Sequence, residues 1–155
     1  MTGEMLKKDL EEEKALPWLL ILEDTKNRID RMTMALNEIW GRESWELTSD
    51  ASIAVSLLES QYSSFAVISL DHDLFSIDGS ENLGMGMDVV VWLEQHTPTA
   101  RIIIHSANDL AASEMFERLT HAGFLVRRVF PTADDRWIDD DWLSEVKRLK
   151  TGWNG

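Results

Sequence analysis

"FAVISLDHDL", residues 65–74, begins as a near-continuous apolar run and ends on Asp71, His72 and Asp73. Short, near-continuous apolar runs of this kind are strands covered on both faces, as in a parallel sheet between two helix layers. A strand of that kind ending in three ionisable groups delivers them to its carboxyl end, which is where open α/β sheets bind ligands.

The same pattern recurs along the chain. "WLLILE" (18–23) runs into Glu23 and Asp24, "RIIIHS" (101–106) carries His105 and Ser106 with Asn108 just beyond, and "FLVRRVF" (124–130) carries Arg127 and Arg128. "SWELTS" (44–49) is a shorter strand candidate. Between these runs the spacing is helical. Residues 25–40 place Ile29, Met32, Leu36 and Ile39 on one face before Gly41, and Asp50 is placed to cap a helix over 50–61 that carries Ile53, Leu57 and Leu58. Further helices are expected over 87–96, with Val90, Val91 and Glu94 together, over 108–123 up to Gly123, and over 134–150 with Trp142, Val146 and Leu149 on one side. In 87–96 the β-branched run argues weakly for strand, and its place between two strands decides for helix.

Five strands alternating with five helices through short links imply parallel pairing by right-handed crossovers. The expected fold is therefore α/β: an open, doubly wound, five-stranded parallel sheet in the order 2-1-3-4-5, helices on both faces. Ligands would bind near the switch point between the first and third strands.

Composition narrows the function. The chain has 155 residues, 44% hydrophobic and 28% charged, which suits one globular domain, expected over 17–150. Residues 1–16, with Glu11, Glu12 and Glu13 in a row, read as a charged helix or tail, and 151–155 as a C-terminal tail. No apolar run approaches the roughly 18 residues of a membrane span, and the N-terminus has no signal or transit pattern, so a cytoplasmic setting is expected. The absence of cysteine removes disulfides, thiolate metal sites and cysteine nucleophiles. A net charge of −13 repels duplex DNA but leaves room for a small phosphorylated ligand or nucleotide held by local cations.

Neighbouring strands lie about 4.8 Å apart, so one ligand could span the ends of the first, third and fourth. Glu23, Asp24 and Asp71 crowded there would repel one another, and Mg²⁺ or another divalent cation relieves that repulsion. Ser106 and Asn108 offer hydrogen bonds to a phosphate or substrate, and Arg127 or Arg128 can pair with its charge. His72 and His105, with Asp73 alongside, supply groups suited to moving protons near neutral pH. Competing structural roles exist: Asp24 can cap the next helix, and His96 and His121 suit helix ends. Trp92, Trp137 and Trp142 fit helical core positions, Asp78 and Gly79 a turn, and Asp134, Asp135, Asp139, Asp140 and Asp141 a solvated acidic face.

Over roughly residues 17–150 these strings resemble the receiver domain of response regulators. "LLILED" looks like the first strand with its acidic pair, "VISLD" like the third with its phosphoacceptor aspartate, "IIIHSA" like the fourth with its hydroxyl, and "FLVR" like the fifth with its basic residue. The resemblance implies Mg²⁺ on Glu23 and Asp24, phosphoacceptance at Asp71, a switch hydroxyl at Ser106, and Arg127 where that family has lysine. The usual Lys-Pro is absent, since Arg128 follows Arg127 and the nearby proline is Pro131.

"LDHDL" together with "HSAN" looks closer to the cyclic-phosphate processing receiver domains. That resemblance implies a metal-assisted phosphoesterase opening a cyclic phosphate of nucleotide or RNA-end type, with cation on Asp24 and Asp71, and with one of His72 and His105 as base and the other as acid. The alternative is an atypical receiver or pseudo-receiver that takes phosphate on Asp71, or binds a ligand, a protein partner or a second copy of itself without turnover.

Overall fold

The computed structural model describes residues 16–41, 44–75 and 79–151. The charged stretch expected as a helix or tail lies outside them apart from Leu16, as do Asp78 and residues 152–155. Five strands, β1 (Leu19–Leu22), β2 (Trp45–Thr48), β3 (Val67–Leu70), β4 (Arg101–Ile104) and β5 (Val126–Arg128), alternate with α1 (Lys26–Trp40), α2 (Ala51–Gln61), α3 (Gly86–Glu94), α4 (Asp109–His121) and α5 (Leu143–Lys150). All neighbours are parallel, in the order β2-β1-β3-β4-β5. Both the alternation and the strand order match the sequence reading.

Successive strand residues point to opposite faces, and the sheet is apolar on both. Leu20, Leu22, Ile68, Leu70, Ile102 and Ile104 meet α2, α3 and α4 through Leu58, Val90, Leu93 and Met115. Leu19, Ile21, Val67 and Ile103 meet α1 and α5 through Met32, Leu36, Val146 and Leu149. Each such side chain, fully buried, stabilises the fold by about 1.5–3 kcal/mol. The register fixes the upper edge: Leu22 pairs with Leu70, Leu70 with Ile104, and Ile104 with Arg128. The strands therefore end level, and Glu23, Asp71 and His105 follow side by side.

Helix faces differ from the expectation in detail. Met32 and Leu36 are buried, but Ile39 is 41% exposed and Ile53 51%. Small residues explain the shift: Ala35, Ala51 and Ala54 are buried and let the helix backbones approach the sheet, so larger neighbours ride at the rim. Asp50 does cap α2, accepting from the amides of Ser52 and Ile53 at 2.8 and 3.4 Å. The helix expected over 134–150 is not uniform. Residues Ile138–Trp142 wind as a π-helical turn before α5, and Trp137, Ile138 and Trp142 are buried while Asp139, Asp140 and Asp141 face solvent. The wider turn lets both tryptophans enter the layer under the strand ends, and Asp139 pairs with Arg31 of α1.

Candidate functional site

Backbone hydrogen bonds continue one residue past each strand. Glu23 donates to the Thr48 carbonyl at 3.1 Å, Asp71 to Leu22 at 3.0 Å and His105 to Leu70 at 3.0 Å. The backbone of the first residue beyond β1, β3 and β4 is thus held by the sheet's own hydrogen bonds. One carboxylate oxygen from each of Glu23, Asp24 and Asp71 lies within 4.8 Å of the other two. Glu23 has no exposed surface and Asp71 is 5% exposed, while Asp24 is half-buried.

Two buried carboxylates this close must be stabilised separately. Burial acts to raise Glu23, yet the hydrogen bond and charge of His105, with the Thr25 amide and Arg28, bring it below the ordinary carboxylate value. Asp71 goes the other way. Burial first, reinforced by the charges of Glu23 and Asp24, pushes it up to about 6, although His105 and the His72 amide pull against the shift. The environment thus splits the pair, with Glu23 held ionised and Asp71 strained toward the neutral form. Hard oxygen donors under that strain suit a divalent cation, so Glu23, Asp24 and Asp71 fit Mg²⁺.

Asp24 does not cap α1, whose first residue is preceded by Thr25 without a side-chain bond. Its Oδ2 instead accepts from the Phe75 amide at 2.7 Å, tying the loop after β3 to the end of β1. In that loop His72 Nδ1 lies 2.6 Å from Asp73 Oδ1. Asn108 Nδ2 donates to both oxygens of Asp73 at 3.3 and 3.2 Å, while Asn108 Oδ1 caps α4 by accepting from Ala111 at 3.1 Å. Asp73 is therefore fixed by the start of α4 and itself fixes the imidazole. The His72 side chain is 14% exposed and lines an open groove of 660 Å³ with Asn108, Leu110 and Glu114.

The family model of the cyclic-phosphate processing receiver domain matches residues 18–121. The chain belongs to that family. Among curated proteins none matches its sequence. In structure this receiver domain is similar to the phosphorylated cyanobacterial phytochrome response regulator RcpA, with a TM-score of 0.66 and 12% identity over 88% of this chain and 95% of that one. It is also similar to the response regulator domain of Thermotoga maritima CheB, with a TM-score of 0.64 and 11% identity over 88% and 97% of the two chains. Against the Salmonella typhimurium response regulator RcsB the values are 0.60 and 15%, covering 91% of this chain but only 63% of that protein's length. At such identities the likeness is one of fold.

The remaining expected residues of the receiver domain are spread around this centre. His105 lies directly beneath the acidic cluster with no exposed surface. Its Nε2 is 2.8 Å from Glu23 Oε2 and its Nδ1 2.7 Å from Ser69 Oγ, so both ring nitrogens are engaged inside the fold. Ser106, 2% exposed, accepts from the Asn108 amide at 3.1 Å. Arg127 sits half-buried in β5 opposite Ile103. Arg128 turns to α4, donating to Asp109 at 3.2 Å and Ser113 at 3.4 Å over the Phe130 ring. A guanidinium beside the cluster is one the sequence reading missed: Arg28 Nη1 stands 3.8 Å from Glu23 Oε1, with its charge over Trp137. Its position in the first turn after the acidic pair was the available signal. Ser69 was also missed, although it is the one polar residue in "VISL".

Proposed function

We propose that this receiver domain is a metal-assisted phosphoesterase that opens a cyclic phosphate of nucleotide or RNA-end type, acting in the cytoplasm. The observation that carries the reading is the His72–Asp73 pair, 2.6 Å apart, one residue beyond Asp71 and at the rim of an open groove. A domain that only accepts phosphate on an aspartate has no need of an imidazole oriented in this way.

Glu23, Asp24 and Asp71 would hold the divalent cation. When bound it would neutralise phosphoryl charge. Asp73 accepts the Nδ1 proton of His72 and so leaves Nε2 bare as the base. As a water oxygen forms its bond to phosphorus, Nε2 takes the water's proton. As the ring P–O bond breaks, the same proton passes to the leaving ester oxygen, giving a phosphomonoester and a free hydroxyl. Asp73 stabilises the imidazolium formed between the two steps. One histidine then performs both transfers, and His105, with both nitrogens bonded inside the fold, is given no proton to exchange with substrate. Asn108 and Ser106 would orient the phosphate, with Arg127 and Arg128 as its charge partners; Arg128 would have to leave Asp109 to serve.

The second reading, a signalling or binding module that takes phosphate on Asp71 or docks a protein partner or second copy, is favoured by the likeness to a phosphorylated response regulator. One experiment separates them. The protein is incubated with Mg²⁺ or Mn²⁺ and 2′,3′-cyclic nucleotides, 3′,5′-cyclic nucleotides, ADP-ribose cyclic phosphate and cyclic dinucleotides, with products read by chromatography. Turnover that disappears in His72→Ala supports the phosphoesterase. No turnover, together with labelling of Asp71 by acetyl phosphate, supports the signalling module.

A further inference from the structure

Beneath the acidic cluster four side chains from distant parts of the chain are joined by hydrogen bonds. Trp142 Nε1, from the π-helical turn, donates to Ser69 Oγ at 2.9 Å. Ser69 Oγ is 2.7 Å from His105 Nδ1, and His105 Nε2 is 2.8 Å from Glu23 Oε2. Ser69, His105, Trp142 and Glu23 all have no exposed surface. We infer that Trp142, Ser69 and His105 form a relay whose work is to aim the Glu23 carboxylate into the metal-binding cluster, which makes them positioning residues.

The direction of the relay follows from what each group can do. An indole N–H only donates, so Ser69 must accept from it. Ser69 Oγ keeps its own proton and a second lone pair, so it can donate to a bare His105 Nδ1 or accept from a protonated one, and His105 is its other partner among the described residues. In both arrangements Nε2 carries a proton that points at Glu23 Oε2. In the opposite tautomer a bare Nε2 would face a carboxylate oxygen at 2.8 Å, a repulsive contact.

The other carboxylate oxygen is restrained too. Glu23 Oε1 accepts from the Thr25 amide at 3.1 Å. With both oxygens anchored, the remaining lone pairs are left for a cation shared with Asp24 and Asp71. Trp137 packs nearly parallel to the His105 ring, 6.1 Å between centroids at 23°, and limits its rotation. Buried polar groups are costly unless fully satisfied. Here the π-helical turn is what brings the terminal donor into reach.

The inference rests on the reading of Glu23 as a metal ligand, and its test reads metal and proton rather than turnover. Calorimetry with Mn²⁺ or Mg²⁺ is run on the wild type, Ser69→Ala and Trp142→Phe, the last keeping a buried ring and removing the N–H. Long-range ¹H–¹⁵N spectra report the tautomer of His105, assigned with His105→Gln. The wild type should show a slowly exchanging Nε2–H. Ser69→Ala should lose that state and bind cation about 10–100-fold more weakly, with Trp142→Phe shifted the same way. A bare Nε2 in the wild type, or an unchanged Nε2–H signal and affinity in both variants, overturns the relay. A wild type that binds no cation overturns the metal reading and the relay's aim with it. Cation binding that responds to Ser69→Ala without any turnover overturns the phosphoesterase and leaves the relay standing.

Discussion

Gly86 packs its Cα against the backbone of Asp71 so closely that a side chain there would overlap the Asp71 carbonyl oxygen. The same glycine donates its amide to the His72 carbonyl at 2.8 Å. The first turn of α3 thus fixes the backbone of Asp71 and His72, the residues proposed to hold the cation and move the proton. Backbone atoms cannot swing aside as a flexible side chain would. Gly86→Ala should therefore destabilise the fold by about 3 kcal/mol, the upper end of ordinary overpacking. In a thermal melt that is a fall in Tm of roughly 6–12 °C for a domain of this size, and an unchanged Tm would show that the loop after β3 tolerates displacement.

Asp71 makes a pH-dependent prediction. Its folded value is about 6, against roughly 3.9 for an aspartate in an unfolded chain. The folded state binds the proton more tightly, so this group's contribution is fully present below about pH 4 and is lost as the pH rises through about 6. The gap between the folded and unfolded values corresponds to about 3 kcal/mol. In chelator, Asp71→Asn should match the wild type at about pH 4 and be more stable by up to that amount above about pH 7. Denaturant titrations at both pH values check it, and a wild type equally stable relative to the variant throughout would mean the carboxylate is not strained.

Much of this was legible in the sequence because burial on two faces writes itself as near-continuous apolar runs. "WLLILE", "FAVISL" and "RIIIHS" marked three strands and the residues at their ends, and the acidic cluster of Glu23, Asp24 and Asp71 followed from strand order alone. Side-chain direction past a strand end was not legible. His72 stands two residues past β3 and His105 one past β4, and one lines a groove while the other is sealed beneath Glu23. Arg128 has a carboxylate partner on α4 that no local pattern announces. Trp142 read as an ordinary helical core residue, because a π-helical turn differs from an α-turn by a single residue of spacing and leaves no compositional mark.

Metal binding should appear as stabilisation. At a free cation concentration about 100 times the dissociation constant, binding to the folded state alone adds about 2.7 kcal/mol, or roughly 5–10 °C in Tm. The wild type should show this shift with Mg²⁺ or Mn²⁺, and Glu23→Gln and Asp71→Asn should each reduce it. Equal shifts in the wild type and both variants would place the cation away from the strand ends.

The His72–Asp73 pair gives the sharpest test of chemistry. His72→Ala removes the proton carrier and should lower kcat by about 10²–10⁴-fold, the usual worth of a positioned acid or base. Asp73→Asn leaves the imidazole in place and alters only its partner. Asn108 donates to both oxygens of Asp73, so the substituted amide would keep its carbonyl toward Asn108 and turn its NH₂ toward His72 Nδ1. Nδ1 must then accept, the ring proton moves to Nε2, and the base facing the groove is lost. Asp73→Asn should accordingly lower kcat by about 10²-fold or more with KM little changed, by the same tautomer logic that governs histidine–aspartate pairs elsewhere. Steady-state kinetics on a cleaved cyclic phosphate decide it: full kcat in Asp73→Asn would mean that the pair only holds the loop.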